Sequence, residues 1–435
     1  MSHAAPPASD DRTRRVGVVG AGVTGLALTH YLADRGVDVV TFESGSEPGG
    51  VVRSREVDGR LLEYGPQRTR LVPAVEELVE RFGLRSELLV ANDDLPLYVY
   101  ADGRLRRVPR SLATFLRTDL LSWRGKCRIL AEPLTAAGRP DERAACLFAR
   151  KFGLEAYRNV IEPLFGGLYG SDPAEMPAEH SLSRLLELES RTGSLLRAAI
   201  DRLVRGDETP PPVSFVSGMQ TLPNALYEAH RPYVHLRSPV TSIEHADDGY
   251  VLAAGGRTTT VDDVVVTAPA PAAATILEGL EGASVASLRE LTYNSLVLVF
   301  LEAEASLEGF GYQVRRDEAL TTRGVTFNES LFGRDGVYTA FMGGMSDPGA
   351  VDRSDDELAT VARREFRTVT GVDADVLEVT TLPDVIPAFD TSWAALEDVS
   401  LPEGVTIASN YTDRIGIPGR LRQARRIADR LAEDR

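Results

Sequence analysis

The chain has 435 residues, of which 43% are hydrophobic and 26% are charged, and its formal net charge at pH 7 is −16. This composition is typical of a globular protein, and the length allows two or three domains. Because an acidic surface repels phosphate backbones, nucleic acid is excluded from the partners that we expect.

The N-terminal region predicts a βαβ unit that follows a disordered tail of residues 1–14. Val16–Val19 is a short apolar run, which is typical of a buried parallel strand. Leu26–Asp34 has a helical pattern that ends at Gly36, and Val37–Phe42 predicts the second strand.

The middle of the chain predicts mainly helices. Residues 73–82 form an amphipathic helical pattern, and Leu97–Tyr100 with Leu105–Val108 predicts a β-hairpin. From Pro109 to Arg205 the pattern is helical, and the glycine pair Gly166-Gly167 is expected to interrupt it.

After a linker of residues 206–212 the chain returns to strands. Residues 293–345 predict mainly strands, and Asp355–Thr370 and Gly419–Arg435 predict helices. The other strands that we predict are Val213–Val216, Val234–Leu236, Val240–Glu244, Tyr250–Ala253, Asp263–Thr267 and Val405–Ala408.

The turn after the first strand has the spacing of a dinucleotide-binding motif, Gly20-Ala21-Gly22-Val23-Thr24-Gly25. The first glycine permits a tight turn, the second lets the backbone approach a pyrophosphate, and the third lets helix and strand pack closely. The helix N-terminus offers free N–H groups to the phosphates. Glu43, at the end of the second strand, would accept hydrogen bonds from ribose hydroxyls and disfavours NADP. The alternative is a tight glycine turn without a ligand.

Two later segments favour FAD over NAD. Gly49-Gly50-Val51 follows Glu43, and its glycines allow the backbone to run along an extended cofactor. Glu63-Tyr64-Gly65-Pro66 comes next, and no second GxGxxG motif of the kind that binds a reducing NAD(P)H follows. We therefore predict that the substrate itself reduces the FAD.

The chain starts with a nucleotide-binding unit, continues into a helical insertion and then returns to strands more than once. One domain is therefore expected to be assembled from separate segments. The predicted fold is α/β, with a Rossmann-type FAD-binding domain of discontinuous segments, a mixed-sheet substrate domain and a helical insertion. The predicted segments are 15–72, 213–292 and 400–435 for FAD binding, 73–108 and 293–390 for the substrate domain, and 109–205 for the insertion.

The cysteines and the apolar runs bear on location. Cys127 and Cys146 lack the spacing of a metal site or a redox pair, so we expect no metal and a cytoplasmic location. No apolar run approaches the ~20 residues of a membrane-spanning helix. The apolar stretch from Leu112 to Trp123 leaves peripheral membrane contact open, although we expect it to pack on its own domain.

Several segments together resemble FAD-dependent protoporphyrinogen oxidases, within the amine-oxidase-like flavoprotein superfamily. The most specific are Gly-Gly-Leu-Tyr-Gly-Ser-Asp-Pro at 166–173, the segment Arg184–Leu196 and Gly309-Phe310-Gly311. The remaining matches, which span nearly the whole chain, are Val18–Gly25, Glu43–Ser54, Leu62–Pro66, Ser217–Leu226, Asp262–Pro269 and Ser409–Pro418.

The resemblance implies a cofactor role for each matched position. The positions that would hold the ADP half are Gly20 to Gly25, Glu43, Ser44, Gly49, Gly50, Val51 and, through its backbone, Val240. The positions that would lie near the flavin are Gly65, Pro66, Gln67, Arg68, Ser409, Ile415, Gly416 and Ile417.

The resemblance also implies a reaction, the oxidation of protoporphyrinogen IX to protoporphyrin IX in heme biosynthesis. Three hydride transfers to flavin N5 would be followed by reoxidation with oxygen or another acceptor. The ring would lie between Phe310 and Phe341, and a backbone carbonyl near Gly311 would approach the reacting carbon. Both phenylalanines have an alternative interpretation as sheet core.

One departure from the family concerns the substrate carboxylates. Eukaryotic members carry an arginine just before the strand that we predict at Leu97–Tyr100, whereas this chain has Leu95-Pro96. The candidate anchors are Arg68, Arg70, Arg104 and Arg106, of which Arg70 joins the predicted catalytic set; each could equally be a solvated surface charge.

Four other functions remain as alternatives. Coproporphyrinogen III oxidation would use the same mechanism but would need more arginines, and an FAD amine oxidase is disfavoured because no lysine follows Lys151. A carotenoid desaturase and a non-catalytic membrane-docking flavoprotein are weaker options. The sequence leaves a homodimer open.

Overall fold

The computed structural model describes residues 14–205, 209–413 and 415–433. The disordered tail predicted for residues 1–14 therefore lies outside the described residues except for Arg14, as do residues 206–208 of the predicted linker.

The strands of the described residues alternate with helices along the chain. In chain order they are β1 Arg15–Val19, β2 Asp38–Phe42, β3 Ser54–Val57, β4 Arg60–Glu63, β5 Thr69–Arg70, β6 Leu88–Val90, β7 Leu97–Ala101, β8 Arg104–Arg107, β9 Pro212–Phe215, β10 Val234–His235, β11 Val240–His245, β12 Tyr250–Ala254, β13 Arg257–Val261, β14 Asp263–Val266, β15 Tyr293–Glu302, β16 Gly311–Val314, β17 Gly324–Phe327, β18 Val337–Gly343, β19 Asp375–Pro387 and β20 Val405–Ile407.

The helices cluster between residues 112 and 205. In chain order the α-helices are α1 Val23–Asp34, α2 Pro73–Arg81, α3 Leu112–Arg117, α4 Trp123–Leu130, α5 Ala144–Phe152, α6 Leu154–Ala156, α7 Glu162–Tyr169, α8 Ala178–Ser181, α9 Ser183–Thr192, α10 Leu195–Arg205, α11 Thr221–His230, α12 Ala270–Leu277, α13 Asn328–Phe332, α14 Asp355–Thr370 and α15 Ile417–Glu433. A π-helical segment, Tyr157–Ile161, joins α6 to α7.

The chain divides into two compact units. Unit 1 contains the described residues up to Gly50, then 222–288, and those from Val399 onward; unit 2 contains 51–221 and 289–398. The α/β fold with a parallel sheet built from discontinuous segments is therefore confirmed.

Unit 1 is built on a five-stranded parallel sheet in the order β10-β2-β1-β14-β20. Its strands are almost continuously apolar because both faces of such a sheet are covered. Helices α1 and α15 pack together, and all their leucines and most of their alanines are buried. A three-stranded antiparallel sheet, β11-β12-β13, completes the unit.

Unit 2 contains a seven-stranded mixed sheet in the order β19-β15-β18-β17-β16-β7-β8. All neighbours are antiparallel except β16 and β7, which run parallel from Gly311 opposite Leu97. The alternate residues Val297, Val299 and Leu301 of β15 are fully buried and pack, with α14, into one hydrophobic core. The predicted hairpin is confirmed as β7 and β8.

A buried ionic cluster holds the helical insertion together. The Lys151 ammonium on α5 contacts Glu189 on α9 and lies 3.3 Å from Glu132. Glu132 in turn accepts hydrogen bonds from the Ser194 hydroxyl and from the N–H of Leu196, at the start of α10. Burial acts against the charge of Glu132, but these hydrogen bonds outweigh it and lower the pKa of this carboxyl.

The helix break that we expected at Gly166-Gly167 is wrong. Helix α7 runs through both glycines and ends at Gly170, whose φ of +61° closes it. A Cβ on Gly167 would lie 2.0 Å from the Oε1 atom of Gln313 on β16. The glycine pair therefore serves a close approach of helix to sheet.

The apolar stretch from Leu112 to Trp123 is only partly packed. Leu120 and Leu121 are buried, whereas Leu112, Leu116 and Trp123 are 67%, 49% and 68% exposed. The expectation that this stretch packs on its own domain holds for Phe115, which is half-buried against the cluster of Leu120 and Leu121, but is wrong for the three exposed residues. Across the described ranges no helix combines the length and apolar character needed to cross a bilayer.

Candidate functional site

The glycine turn of unit 1 connects β1 to α1 under tight steric control. The N–H of Gly20 donates to the carbonyl of Phe42 over 2.7 Å, and Val23 and Thr24 begin α1 as buried residues. A Cβ on Gly25 would lie 1.9 Å from the carbonyl oxygen of Gly20. Gly25 is thus the position where helix and turn touch.

Gly22, by contrast, faces open space. A Cβ placed there would meet no heavy atom within 4 Å, and no side chain caps α1. The N–H of Gly49 donates to the carbonyl of Ala21 over 2.8 Å, and a Cβ on Gly50 would lie 3.3 Å from Gly22. The arrangement fits a phosphate group, because free N–H groups and the helix dipole point to a space without side chains.

The Glu43 carboxylate joins two parts of this surface. Its two oxygens accept hydrogen bonds of 2.7 Å each from the N–H groups of Ala21 and Gly45, and the exposed Ser44 hydroxyl lies 3.2 Å away. Oε1 accepts from both Gly45 and Ser44, whereas Oε2 accepts from Ala21 alone and keeps a second lone pair for a ribose hydroxyl. The carbonyl of Glu43 accepts from Ser238, two residues before the buried Val240 on β11.

The C-terminal candidates follow β20, at the same sheet edge as Gly20 and Glu43. Ser409 is buried, and its N–H donates to the Thr412 hydroxyl over 2.9 Å. Half-buried Ile415 and exposed Gly416 precede Ile417, the buried first residue of α15. The parallel sheet thus gathers three distant stretches of sequence at one edge.

In unit 2, the segment from Gly65 to Arg68 is fixed by a buried polar network. The Gln67 side chain donates to the carbonyls of Glu63 and Gly65 and accepts from Asn328 over 3.2 Å. Gln67 is therefore a positioning residue, whose polar atoms are used by the protein. Its neighbour Pro66 is half-buried, and Val51, which is 56% exposed, contacts Gly65.

Phe310 is contacted by two guanidinium groups. Arg68 and Arg110 stack on its ring, 5.6 and 5.5 Å from the centroid. The ring itself is 8% exposed and packs with Leu95 and Phe332. Burial, and secondly the charge of Arg70, lower the pKa of Arg68 to about 10.

The glycines beside Phe310 fix its backbone. Gly311 has a φ of +123°, which disfavours any side chain, and a Cβ there would lie 1.9 Å from the carbonyl oxygen of Val325. The N–H of Phe310 donates to the carbonyl of Pro96 over 2.8 Å. The second predicted aromatic residue, half-buried Phe341 on β18, packs in a different cluster, with Leu298 and Phe300.

The other arginine candidates already have partners. Arg104 pairs with Asp119 at 2.7 Å, and Arg106 pairs with Asp102 at 2.6 Å. The Arg70 guanidinium donates to the carbonyl of Pro210 over 2.9 Å and lies 3.6 Å from Asp93.

Sequence reasoning missed three residues that shape these surfaces. Arg110 reaches Phe310 from 200 residues away, so no local pattern announces it. Arg334 forms a buried ion pair of 2.7 Å with Glu63, just before the predicted flavin segment. The Thr267 hydroxyl donates to the Val19 carbonyl over 2.8 Å and braces the glycine turn; its place directly after β14 could have signalled it. Over the described residues no group of three metal-binding side chains occurs.

Solved structures share this fold. A crystal structure of an Exiguobacterium protein, provisionally assigned as a protoporphyrinogen oxidase, aligns with a TM-score of 0.81 at 22% identity, covering 98% of this chain and 100% of that one. Cyclohexylamine oxidase from Brevibacterium oxydans aligns with a TM-score of 0.71 at 17% identity, covering 97% and 99%.

Similarity at the sequence level extends over most of the chain. Protoporphyrinogen oxidase 1 of Spinacia oleracea chloroplasts is 26% identical over 96% of this chain and 84% of its own. Coproporphyrinogen III oxidase of Bacillus subtilis is 24% identical over 84% and 85%. Residues 23–432 match the family described as flavin containing amine oxidoreductase. The chain therefore belongs to the flavin-containing amine oxidoreductase family.

Proposed function

We propose that the chain is an FAD-dependent porphyrinogen oxidase that converts protoporphyrinogen IX to protoporphyrin IX in heme biosynthesis. Six electrons leave the substrate in three two-electron steps, with oxygen as the final acceptor. The observation that carries the proposal is similarity over 96% and 84% of the chain to relatives named for porphyrinogen oxidation. Coproporphyrinogen III is the alternative substrate, because a relative named for it matches over nearly as much of the chain.

FAD, when bound, supplies the redox chemistry. The residues proposed to hold its ADP half are the Gly20–Gly25 turn, the Glu43 carboxylate and the backbone at Val240. Support comes from the open space at Gly22 and from the unused lone pair on Oε2 of Glu43. Ser409 and Ile415 to Ile417 are proposed along the flavin, since they share the sheet edge with the glycine turn.

The chemistry around Phe310 suits a large apolar ring with acidic side chains. An aromatic residue offers a flat apolar contact, and the two arginines stacked on it offer charge to carboxylates. Removal of hydride from such a ring requires orientation and exclusion of water more than a strong base. The buried Phe310 and its fixed backbone support this role.

An amine oxidase is the rival within the family. The sequence contains two lysines, Lys126 and Lys151, and both belong to the helical insertion. Lys126 donates to the carbonyls of Leu116 and Thr118 over 2.9 and 2.8 Å, and Lys151 lies in the ionic cluster. No lysine is therefore available in the mixed sheet to serve an amine.

The test is a visible spectrum of the purified protein followed by anaerobic titration. We expect a flavin spectrum that is bleached by protoporphyrinogen IX, and coproporphyrinogen III titrated in parallel decides between the two substrates. A flavin that is bleached by a primary amine and by neither porphyrinogen would refute the proposal while leaving the cofactor assignment intact.

A further inference from the structure

Three arginines of unit 2 gather beside Phe310 with a single carboxylate among them. Asp93 lies 3.1 Å from Arg110 and 3.6 Å from Arg70, while Arg68 and Arg110 stack on the Phe310 ring. The cluster carries a net charge of +2, in a chain whose overall charge is −16. Such a local excess of positive charge favours an anion.

Arg68 differs from Arg70 and Arg110 in its hydrogen bonding. Arg110 donates to the carbonyls of Asp93 and Leu95, and Arg70 donates to the carbonyl of Pro210. No side chain or carbonyl of the described ranges accepts a hydrogen bond from the Arg68 guanidinium, which stacks on the Phe310 ring. A partly desolvated cation without an acceptor is costly, and a carboxylate that binds it recovers that cost.

We propose that Arg68 is the principal carboxylate anchor for the substrate, with Arg110, which also contacts the Phe310 ring, as the second anchor. Arg68 leads because its donors are unused, whereas Arg110 shares its charge with Asp93. The ligand class is an apolar ring system that carries at least one carboxylate. The inference rests on the proposed function for the identity of that ring.

A second source of anion is the pyrophosphate of the cofactor, and the shared chemistry is an oxyanion bound by guanidinium. The two sources differ in what an Arg68 variant loses. If the anion belongs to the cofactor, Arg68→Gln releases FAD; if it belongs to the substrate, FAD content stays at the wild-type level.

The experiment measures binding of the oxidised porphyrin to the flavin-loaded protein by fluorescence quenching, so that it does not depend on turnover. Protoporphyrin IX is compared with its dimethyl ester, which lacks the negative charges. Arg68→Gln is compared with Arg68→Lys and with Arg85→Gln, a control at an exposed arginine that pairs with Glu76. FAD content is read from the visible spectrum of each variant.

We expect Arg68→Gln to weaken binding of the free acid roughly tenfold to a hundredfold, as for loss of one charge-assisted hydrogen-bonded contact. Arg68→Lys should recover part of the affinity, and ester binding and FAD content should match the wild type. The inference would be overturned if Arg68→Gln weakened binding of the acid and the ester equally, if it left binding of the acid unchanged, or if it released FAD. Anaerobic bleaching tests the proposed function separately, so wild-type protein that binds the acid through Arg68 but is not bleached would refute only the function.

Discussion

The buried ion pair between Arg334 and Glu63 allows a quantitative test of how unit 2 is held together. The two side chains are 5% and 0% exposed, and Nη2 of Arg334 lies 2.7 Å from Oε1 of Glu63. Glu63 also accepts hydrogen bonds from the Ser54 hydroxyl and from the N–H of Met219. Replacing Arg334 with methionine would leave this carboxylate buried without its counter-charge.

We expect Arg334→Met to lower the free energy of unfolding by about 3 kcal/mol. Removal of one partner from a buried ion pair costs roughly 3–5 kcal/mol. The lower end applies because Nε and Nη1 of Arg334 have no hydrogen-bond partner within the described part of the chain, and the substitution removes their burial penalty.

The loss of stability in Arg334→Met should also depend on pH, in a direction set by the pKa of Glu63. Burial raises the pKa of Glu63, and the Arg334 charge opposes that rise. In the variant the folded-state pKa rises further above the unfolded value, so the protonated carboxyl is tolerated at low pH. The deficit in stability should therefore be smaller at acidic pH and should grow as the pH rises through the folded-state pKa of Glu63.

Urea unfolding followed by circular dichroism at pH 6 and pH 8.5 measures the loss in free energy of unfolding and its change with pH. The control is Arg85→Met, because Arg85 and Glu76 form an exposed pair at 3.5 Å. Its loss should cost less than about 1 kcal/mol at either pH. A deficit for Arg334→Met no larger than that of the control, or one that shrinks as the pH rises, would refute the reasoning.

Four further substitutions test single positions. Gly25→Ala should destabilise the protein by at least ~1–3 kcal/mol, because its Cβ would lie 1.9 Å from the carbonyl oxygen of Gly20. The matched Gly22→Ala should lose FAD affinity but keep the melting temperature of the FAD-free protein, because its Cβ meets no atom; an unchanged FAD content in Gly22→Ala would contradict the phosphate site. Gly311→Ala should cost more than the ~1–3 kcal/mol of a strained backbone alone, since a close contact adds to it, and a wild-type melting temperature would disprove this. Lys151→Met should cost roughly 3–5 kcal/mol by leaving two buried glutamates unpaired, which chemical denaturation would detect and an unaltered midpoint would exclude.

The sequence by itself predicted the parallel-sheet unit of the protein and the glycine turn at the end of its first strand. The glycine spacing, the apolar runs of parallel strands and the acidic residue after β2 depend on short-range geometry, so they can be identified without knowledge of the rest of the chain. The α/β class and the assembly of one unit from separate segments followed from the same patterns. The helix break predicted at the glycine pair of α7 was wrong because these glycines allow a close contact with β16. Helix propensity, which depends on local sequence, carries no information about such a contact.

Only the tertiary structure decided which charged side chains meet. Arg68 and Arg110 both reach the Phe310 ring from distant parts of the sequence, and Glu63 meets Arg334 across 271 residues. Of the four arginines expected as carboxylate anchors, Arg70, Arg104 and Arg106 have partners of their own, which is why we propose Arg68 for this role. An arginine in a sequence is either a solvated charge or a binding group, and the difference lies in the acceptors within hydrogen-bonding reach, which the folded chain alone brings near.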